Sequence, residues 1–208
     1  MPEDVPSPID LQKLEDAREW ERTALKARPW RTEFFEMIAS KISTRQPPIT
    51  RVLELGSGPG FLAQHILNQL PGLSYTALDF SAAMHELARV RLGDKAESVD
   101  FCERSFKEEG WAAGLGEFQC VVTNQAVHEL RHKRYAAALH AEVLNALSPG
   151  GLYLMCDHYV GNGAMTNTEL YMTKEEHASV LQGCGFSTLE VIKTFDTLVM
   201  YRATKSGS

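Results

Sequence analysis

The sequence lacks several features that would send the reading elsewhere. Across its 208 residues no apolar run approaches the roughly 20 residues of a membrane-spanning helix, so no membrane partner is expected. The opening stretch "MPEDVPSPIDLQKLED" is acidic and proline-rich with no apolar core, and does not read as a signal peptide. The four cysteines (Cys102, Cys120, Cys156, Cys184) form no CxxC pair and no Cys/His spacing of the zinc type. They read as small buried hydrophobes, with a soft-metal or arsenical substrate site as the lesser alternative, and no bound metal is expected. Basic residues are outnumbered, 21 Lys and Arg against 27 Asp and Glu, and the net charge of −6 speaks against a nucleic-acid partner, which asks for a basic face. There is no internal repeat and no low-complexity tract beyond the tails. The length suits one domain with a full core and is short for two. A cytoplasmic globular protein is the expectation.

What is present begins at Arg51. From there short β-rich runs alternate with helical patterns, the mark of a parallel sheet covered on both faces. Strands are expected at 51–55, 74–78, 97–101, 118–123 and 151–156. Between them Leu62, Ile66 and Leu70 repeat at helical spacing, as do Met84, Leu87, Ala88 and Leu92, and Tyr135, Leu139, Val143 and Leu147 ahead of an "SPGG" turn at 148–151. Five βα units of this kind imply a doubly wound α/β sheet. Past Cys184 two runs, 186–193 and 195–203, are joined by almost nothing, a link that allows an antiparallel hairpin and forbids a parallel crossover. Residues 1–48 are helical, charged and aromatic, and read as an N-terminal extension or lid ahead of a ligand-binding domain at 49–208.

The chemistry starts in "RVLELGSGPGFLAQHI", residues 51–66, where Gly56, Gly58 and Gly60 follow an apolar run and open onto a helix. A dinucleotide fingerprint places its third glycine five residues after the first; here that position is Phe61. Pro59 also removes an N–H donor from a turn that a pyrophosphate wants rich in donors. Glu54 and the G-x-G-x-G spacing suit a ligand with an ammonium and a carboxylate, which points to S-adenosylmethionine.

"VLELGSGPG" resembles the first motif of class I S-adenosylmethionine-dependent methyltransferases, and the flanking pattern agrees over nearly all of 49–203. The resemblance implies a Rossmann-like seven-stranded sheet of order 3-2-1-4-5-7-6 with strand 7 antiparallel. It implies cofactor contacts from Glu54, Gly56, Ser57, Gly58 and Gly60, and from an acid at the end of strand two that binds the ribose. Asp79, in "YTALDFSAAM", stands 19 residues after Gly60, near the interval of about 20 for such an acid. Ser81 is the better cap for the helix that follows. Phe80 and Met84 would border the adenine. Where relatives carry a Gly-Asp pair after strand three, this chain has Arg104 and Ser105 followed by Phe106, so Ser105 and Phe106 are the expected substitutes.

Ligands of open α/β sheets bind beyond the carboxyl ends of the strands. Strand four ends in "VVTNQAVHEL" and strand five in "LMCDHYVGNG", which brings His128 and His158 to the rim as alternative catalytic bases. Asn124 and Gln125 would meet the cofactor's methionine end or the substrate. His65, His85, His132 and His140 fall off the apolar stripes of their helices and are expected in solvent, whereas His177 should pack on the sheet. The (Asn/Asp)-Pro-Pro-(Tyr/Phe) motif of methyltransferases acting on exocyclic amines is missing, which leaves a small-molecule acceptor. Trp30, Arg31, Tyr159, Met165, Asn167 and Tyr171 are expected to line its pocket, with Gly161 and Gly163 loosening a lid. The leading reading is therefore methyl transfer to an O or N atom of a small molecule. A non-catalytic S-adenosylmethionine-binding regulator and a nicotinamide-dependent oxidoreductase are the alternatives, and the oligomeric state is left open.

Overall fold

The computed structural model describes residues 3–207. Thirteen elements are used below: α1 (Leu14–Ala27), α2 (Arg31–Ser43), β1 (Arg51–Leu55), α3 (Phe61–Gln69), β2 (Ser74–Asp79), α4 (Ala82–Leu92), β3 (Val99–Glu103), β4 (Phe118–Asn124), α5 (Ala136–Ala146), β5 (Leu147–His158), α6 (Lys174–Gly183), β6 (Thr188–Phe195) and β7 (Leu198–Thr204). The seven strands form one sheet in the order β3-β2-β1-β4-β5-β7-β6. Strands β1, β2 and β3 pair parallel, as do β4 and β5, while β7 runs antiparallel to both β5 and β6. The hairpin expected from loop length is there: only residues 196–197 separate β6 from β7, and Asp196 takes a left-handed φ of 52° to make the turn.

The chain divides into two compact units. One holds Pro8–Ser105, with α1 to α4 and β1 to β3. Its strands read as near-continuous apolar runs because both faces are covered, and Val52, Leu53, Leu55 and Leu78 are buried. Ser81 caps α4 as expected, its Oγ accepting from Met84 N at 3.1 Å. The N-terminal helices belong to this unit. Ala17 of α1 is fully buried against Ala83, Met84 and Leu87 of α4, with Leu11, Leu14 and Trp20 around them. Arg91 of α4 also reaches Glu21 of α1 at 2.6 Å. Helix α1 is thus anchored on α4.

The other unit holds the residues up to Ser7 and those from Phe106 onward, with β4 to β7, α5 and α6. Helix α6 starts with a reciprocal capping box, in which Glu176 N donates to Thr173 Oγ1 and Thr173 N donates to Glu176 Oε2. Strand β5 begins at Leu147, earlier than expected, taking the "SPGG" segment into the strand with Gly150 at φ 71°. One expectation fails at the third crossover: residues 104–117 form turns where a helix was expected, so the βα alternation has a gap. Gly110, Gly114 and Gly116 all sit at left-handed φ there, which breaks any helix.

Candidate active site

In the Pro8–Ser105 unit the glycine loop leaves the carboxyl end of β1. Gly56 N and Ser57 N both donate to Leu78 O, at 2.8 and 3.1 Å, which staples the loop to β2. Gly58 N donates to Asp79 Oδ2 at 2.8 Å and Ser81 N to Asp79 Oδ1 at 3.0 Å. Two backbone donors therefore aim the buried Asp79 carboxylate. Gly56, Gly58 and Gly60 have φ of 67°, 53° and 78°.

The last two glycines are bare for different reasons. A Cβ on Gly60 would lie 3.1 Å from Ala88 Cβ, so that glycine lets α4 approach. A Cβ on Gly58 would meet nothing within 4 Å. The loop's open edge is at Gly58. Beside it the buried Ser57 Oγ has no hydrogen-bond partner among the described residues. An orphaned buried hydroxyl, an open glycine edge and an aimed carboxylate fit a polar ligand with hydroxyl and charged groups.

Glu54 is buried at the end of β1, its Oε2 accepting from Tyr75 OH at 2.9 Å. Burial pushes its carboxyl up to about 8 against the tyrosine's hydrogen bond, and the charge of Asp79 adds to the rise. Phe80 is exposed and Ser105 half-buried, but Met84 is closed off beneath α1. Trp30 packs edge-on to Phe34, and the buried Arg31 lies over the Trp20 ring at 5.3 Å. His65 is partly exposed and binds Glu36 at 3.0 Å. His85, expected in solvent, is instead buried edge-on to Phe101 of β3, because α4 packs against β3 as well as against α1.

In the second unit β4 ends at Asn124, whose Oδ1 is buried without a partner among the described residues. Gln125 follows with a φ of 61°, a strained value for a residue with a side chain, held by a 2.7 Å bond from its N–H to Cys156 O. The turn Val127–Leu130 then presents His128. Its Nδ1 lies 2.6 Å from Asp157 Oδ1, and its backbone N–H donates to Asp157 Oδ2 at 2.8 Å. His158 N donates to the same carboxylate at 2.8 Å. On its other side, His128 Nε2 lies 3.3 Å from Glu129 Oε1.

Burial disfavours the His128 imidazolium, but the charge and hydrogen bond of Asp157, followed by those of Glu129, lift its pKa to about 10. Asp157 is pushed up by burial and pulled down further by His128, so it stays ionised. His158 is buried, with Nδ1 at 2.8 Å from Thr197 Oγ1. The rings of His128, His158 and Tyr171 pack together at centroid distances of 5.3, 5.5 and 5.9 Å.

The structure thus assembles His128, His158 and Tyr171 and gives other expected pocket residues local duties. Asn167 Oδ1 accepts from Glu169 N and Leu170 N in a turn. Tyr159 donates to Asp196 O at 3.3 Å under the Lys174 ammonium, and Met165 bridges to Val160. Phe106 is buried beside Trp111 and Leu139, lining a cavity of about 290 Å³. His177 is buried as expected, 3.2 Å from His158 O. His132 and His140 are buried too, contrary to expectation: His132 accepts from Arg134 N and pairs with Glu169 at 2.9 Å, and His140 meets Tyr153 OH at 3.1 Å. Asp157 and Glu129 were missed as candidates. The signals were the neighbours Asp157-His158 and His128-Glu129, which put a carboxylate beside each rim histidine.

Comparison with known proteins bears on the fold. A family model described as a methyltransferase domain matches residues 52–151. A malonyl-[acyl-carrier protein] O-methyltransferase of Magnetococcus marinus is 35% identical over 81 residues, 39% of this chain and 29% of that protein. A highly reducing polyketide synthase, acrA of Aspergillus aculeatus, is 27% identical over 126 residues, 58% of this chain and 5% of the synthase. The chain thus spans well under two thirds of these curated relatives. Human N-acetylserotonin methyltransferase, solved in complex with SAM, superposes with a TM-score of 0.72 at 16% identity, covering 94% of this chain and 57% of that one. Residues 52–151 thus match a methyltransferase domain, and the sheet has the 3-2-1-4-5-7-6 order that the resemblance to class I S-adenosylmethionine-dependent methyltransferases implies.

Proposed function

We propose that the chain transfers a methyl group from S-adenosylmethionine to a hydroxyl oxygen of a small-molecule acceptor, with His128 as the base and Asp157 as its positioning residue. The observation that carries this is the 2.6 Å contact between His128 Nδ1 and the buried Asp157 carboxylate. A carboxylate on Nδ1 fixes the ring and stabilises the imidazolium formed when Nε2 takes a proton. An amine acceptor uses a free lone pair and sheds its proton after alkylation, so it needs no such pair. A hydroxyl does. The similarity to an O-methyltransferase supports the same atom.

Bound S-adenosylmethionine would supply a methyl carbon on a sulfonium, already a good leaving group. Glu54 would face its ammonium, Ser57 and Gly58 its amino-acid end, and Asp79 its ribose hydroxyls, with Phe80 and Ser105 toward the adenine. The buried Ser57 Oγ, without a hydrogen-bond partner among the described residues, supports these assignments. Holding the acceptor oxygen in line about 3 Å from the methyl carbon is then the main demand on the fold. The net charge of −6 supports a small molecule over nucleic acid, and four free cysteines support a reducing, cytoplasmic setting.

The test is incubation with labelled S-adenosylmethionine and matched hydroxyl, amine and thiol acceptors, with mass analysis of the products. Label should enter an ether or ester, and His128→Gln should lower turnover about 100-fold or more while cofactor affinity holds. Label on nitrogen, or full turnover without the imidazole, refutes the assignment. Absence of product across the panel would favour a non-catalytic regulator.

A further inference from the structure

Both nitrogens of His128 face carboxylates, but the two carboxylates differ. Asp157 is buried and holds three donors: the His128 ring, His128 N and His158 N. Glu129 is about one-third exposed and loosely held. Its Oε1 stands 3.3 Å from His128 Nε2, and its Oε2 stands 3.4 Å from Arg131 Nη1. Arg131 is itself fixed, donating to Val5 O at 3.0 Å and Pro6 O at 2.8 Å. The inner side of the imidazole is closed, since the cavity walled by Val127, Leu170, Tyr171 and Met172 measures about 10 Å³ and admits no acceptor. Glu129 therefore stands on the approach to the one nitrogen that can take a proton.

We propose that Glu129 is a displaceable stopper on the base, covering His128 Nε2 until the acceptor hydroxyl takes its place and the carboxylate swings toward Arg131. The inference rests on the reading of His128 as the base. Two carboxylates keep the resting imidazole protonated, and a protonated imidazole cannot serve. When the acceptor displaces Glu129, the imidazolium loses the lesser of its two supports and sheds its proton to solvent.

The freed Nε2 then takes the acceptor's O–H proton as the O–C bond forms. The C–S bond breaks with its electron pair staying on sulfur, and Glu129 returns to pair with the imidazolium so formed. Other charged or titratable groups face this ring: His158 from β5, His177 from α6, Tyr171 before it, and Lys133, which is paired with Glu176 at 2.6 Å. Among these and the two carboxylates, Glu129 alone combines contact with Nε2 and access to solvent.

Glu129→Gln in the full chain tests this by two readings. The His128 imidazole is titrated by NMR without ligands, its resonance assigned by loss in His128→Gln. Its midpoint should fall by at least one pH unit, and the acid limb of turnover should move with it, giving roughly tenfold more turnover on that limb. The acceptor KM should fall as well, because nothing has to be displaced. Glu129→Ala should repeat both shifts. An unchanged midpoint, or a KM that rises, overturns the stopper. Full turnover in His128→Gln would instead sink the base assignment, a result that the ligand-free titration does not touch.

Discussion

Replacing Glu54 by Gln should make the ligand-free protein more stable, and increasingly so as the pH rises. The carboxyl is buried and its pKa is raised from the ordinary 4.5 to about 8, so the fold prefers its protonated form. Between those pH values the folded chain binds more protons at this site than the unfolded chain, and stability falls as pH increases. Below pH 4.5 both states are protonated and nothing is lost. At about 1.4 kcal/mol per pH unit, the loss is about 3 kcal/mol at pH 7 and about 5 kcal/mol above pH 8, as an upper figure. Gln has the same shape, keeps an acceptor for Tyr75 OH and carries no charge to bury. Urea denaturation of both proteins at intervals from pH 4.5 to 8.5 measures the difference directly. The curves should meet near pH 4.5 and separate steadily, with the variant on top. In wild type, cofactor binding near pH 7 should also release a proton, seen by calorimetry in buffers of different ionisation enthalpy, and the variant should release none from this site. If the two stability curves run parallel across the window, Glu54 is charged in the fold and the reasoning fails.

The glycines separate packing from binding. Gly60→Ala combines a left-handed φ of 78° with a 3.1 Å approach to Ala88, and should cost about 2 kcal/mol in denaturant melts. Gly58→Ala, at φ 53° with open space around it, should cost about 1 kcal/mol, its main effect being weaker S-adenosylmethionine binding by titration. His128→Gln should lower stability most at pH 6, where the imidazolium is fully in place, and progressively less as the pH rises toward about 10.

The fold was legible wherever one short-range rule decided the outcome. Continuous apolar runs placed β1, β2 and β4, and the near-absence of a link between the runs at 186–193 and 195–203 implied the antiparallel β7. Ser81 was legible as a cap because only local backbone donors are involved. What escaped depends on covering by distant segments. The stripe rule put His85 and His140 in solvent, yet a helix packed on more than one side buries positions beyond its apolar stripe. His85 lies against Phe101 and His140 against Tyr153, partners that no spacing within their own helices reveals. The rim was half legible: strand ends named His128 and His158, but a carboxylate 29 positions away in sequence orients His128 and was not sought. The absence of a helix between β3 and β4 was legible as well, since three glycines within 110–116 disfavour one.

Both titratable groups at the proposed chemistry rest in the charge state opposite to their role, and each does so for a reason visible in its partners. Glu54 meets a neutral phenol and a like charge, so burial leaves it protonated, whereas cation recognition needs its carboxylate. His128 meets two carboxylates, so it stays cationic despite burial, whereas base catalysis needs the neutral ring. A ligand cation brought to the first group, and a carboxylate removed from the second, each reverse the preference by changing the local charge by one. Both ligand events then release a proton, so affinity for cofactor and for acceptor should each rise with pH until the corresponding group has lost its proton in the free protein. For Glu54 that ceiling lies near pH 8; for His128 it lies near pH 10. Cofactor affinity should therefore level off about two pH units before acceptor affinity does. Plateaus at the same pH would mean that one group governs both steps.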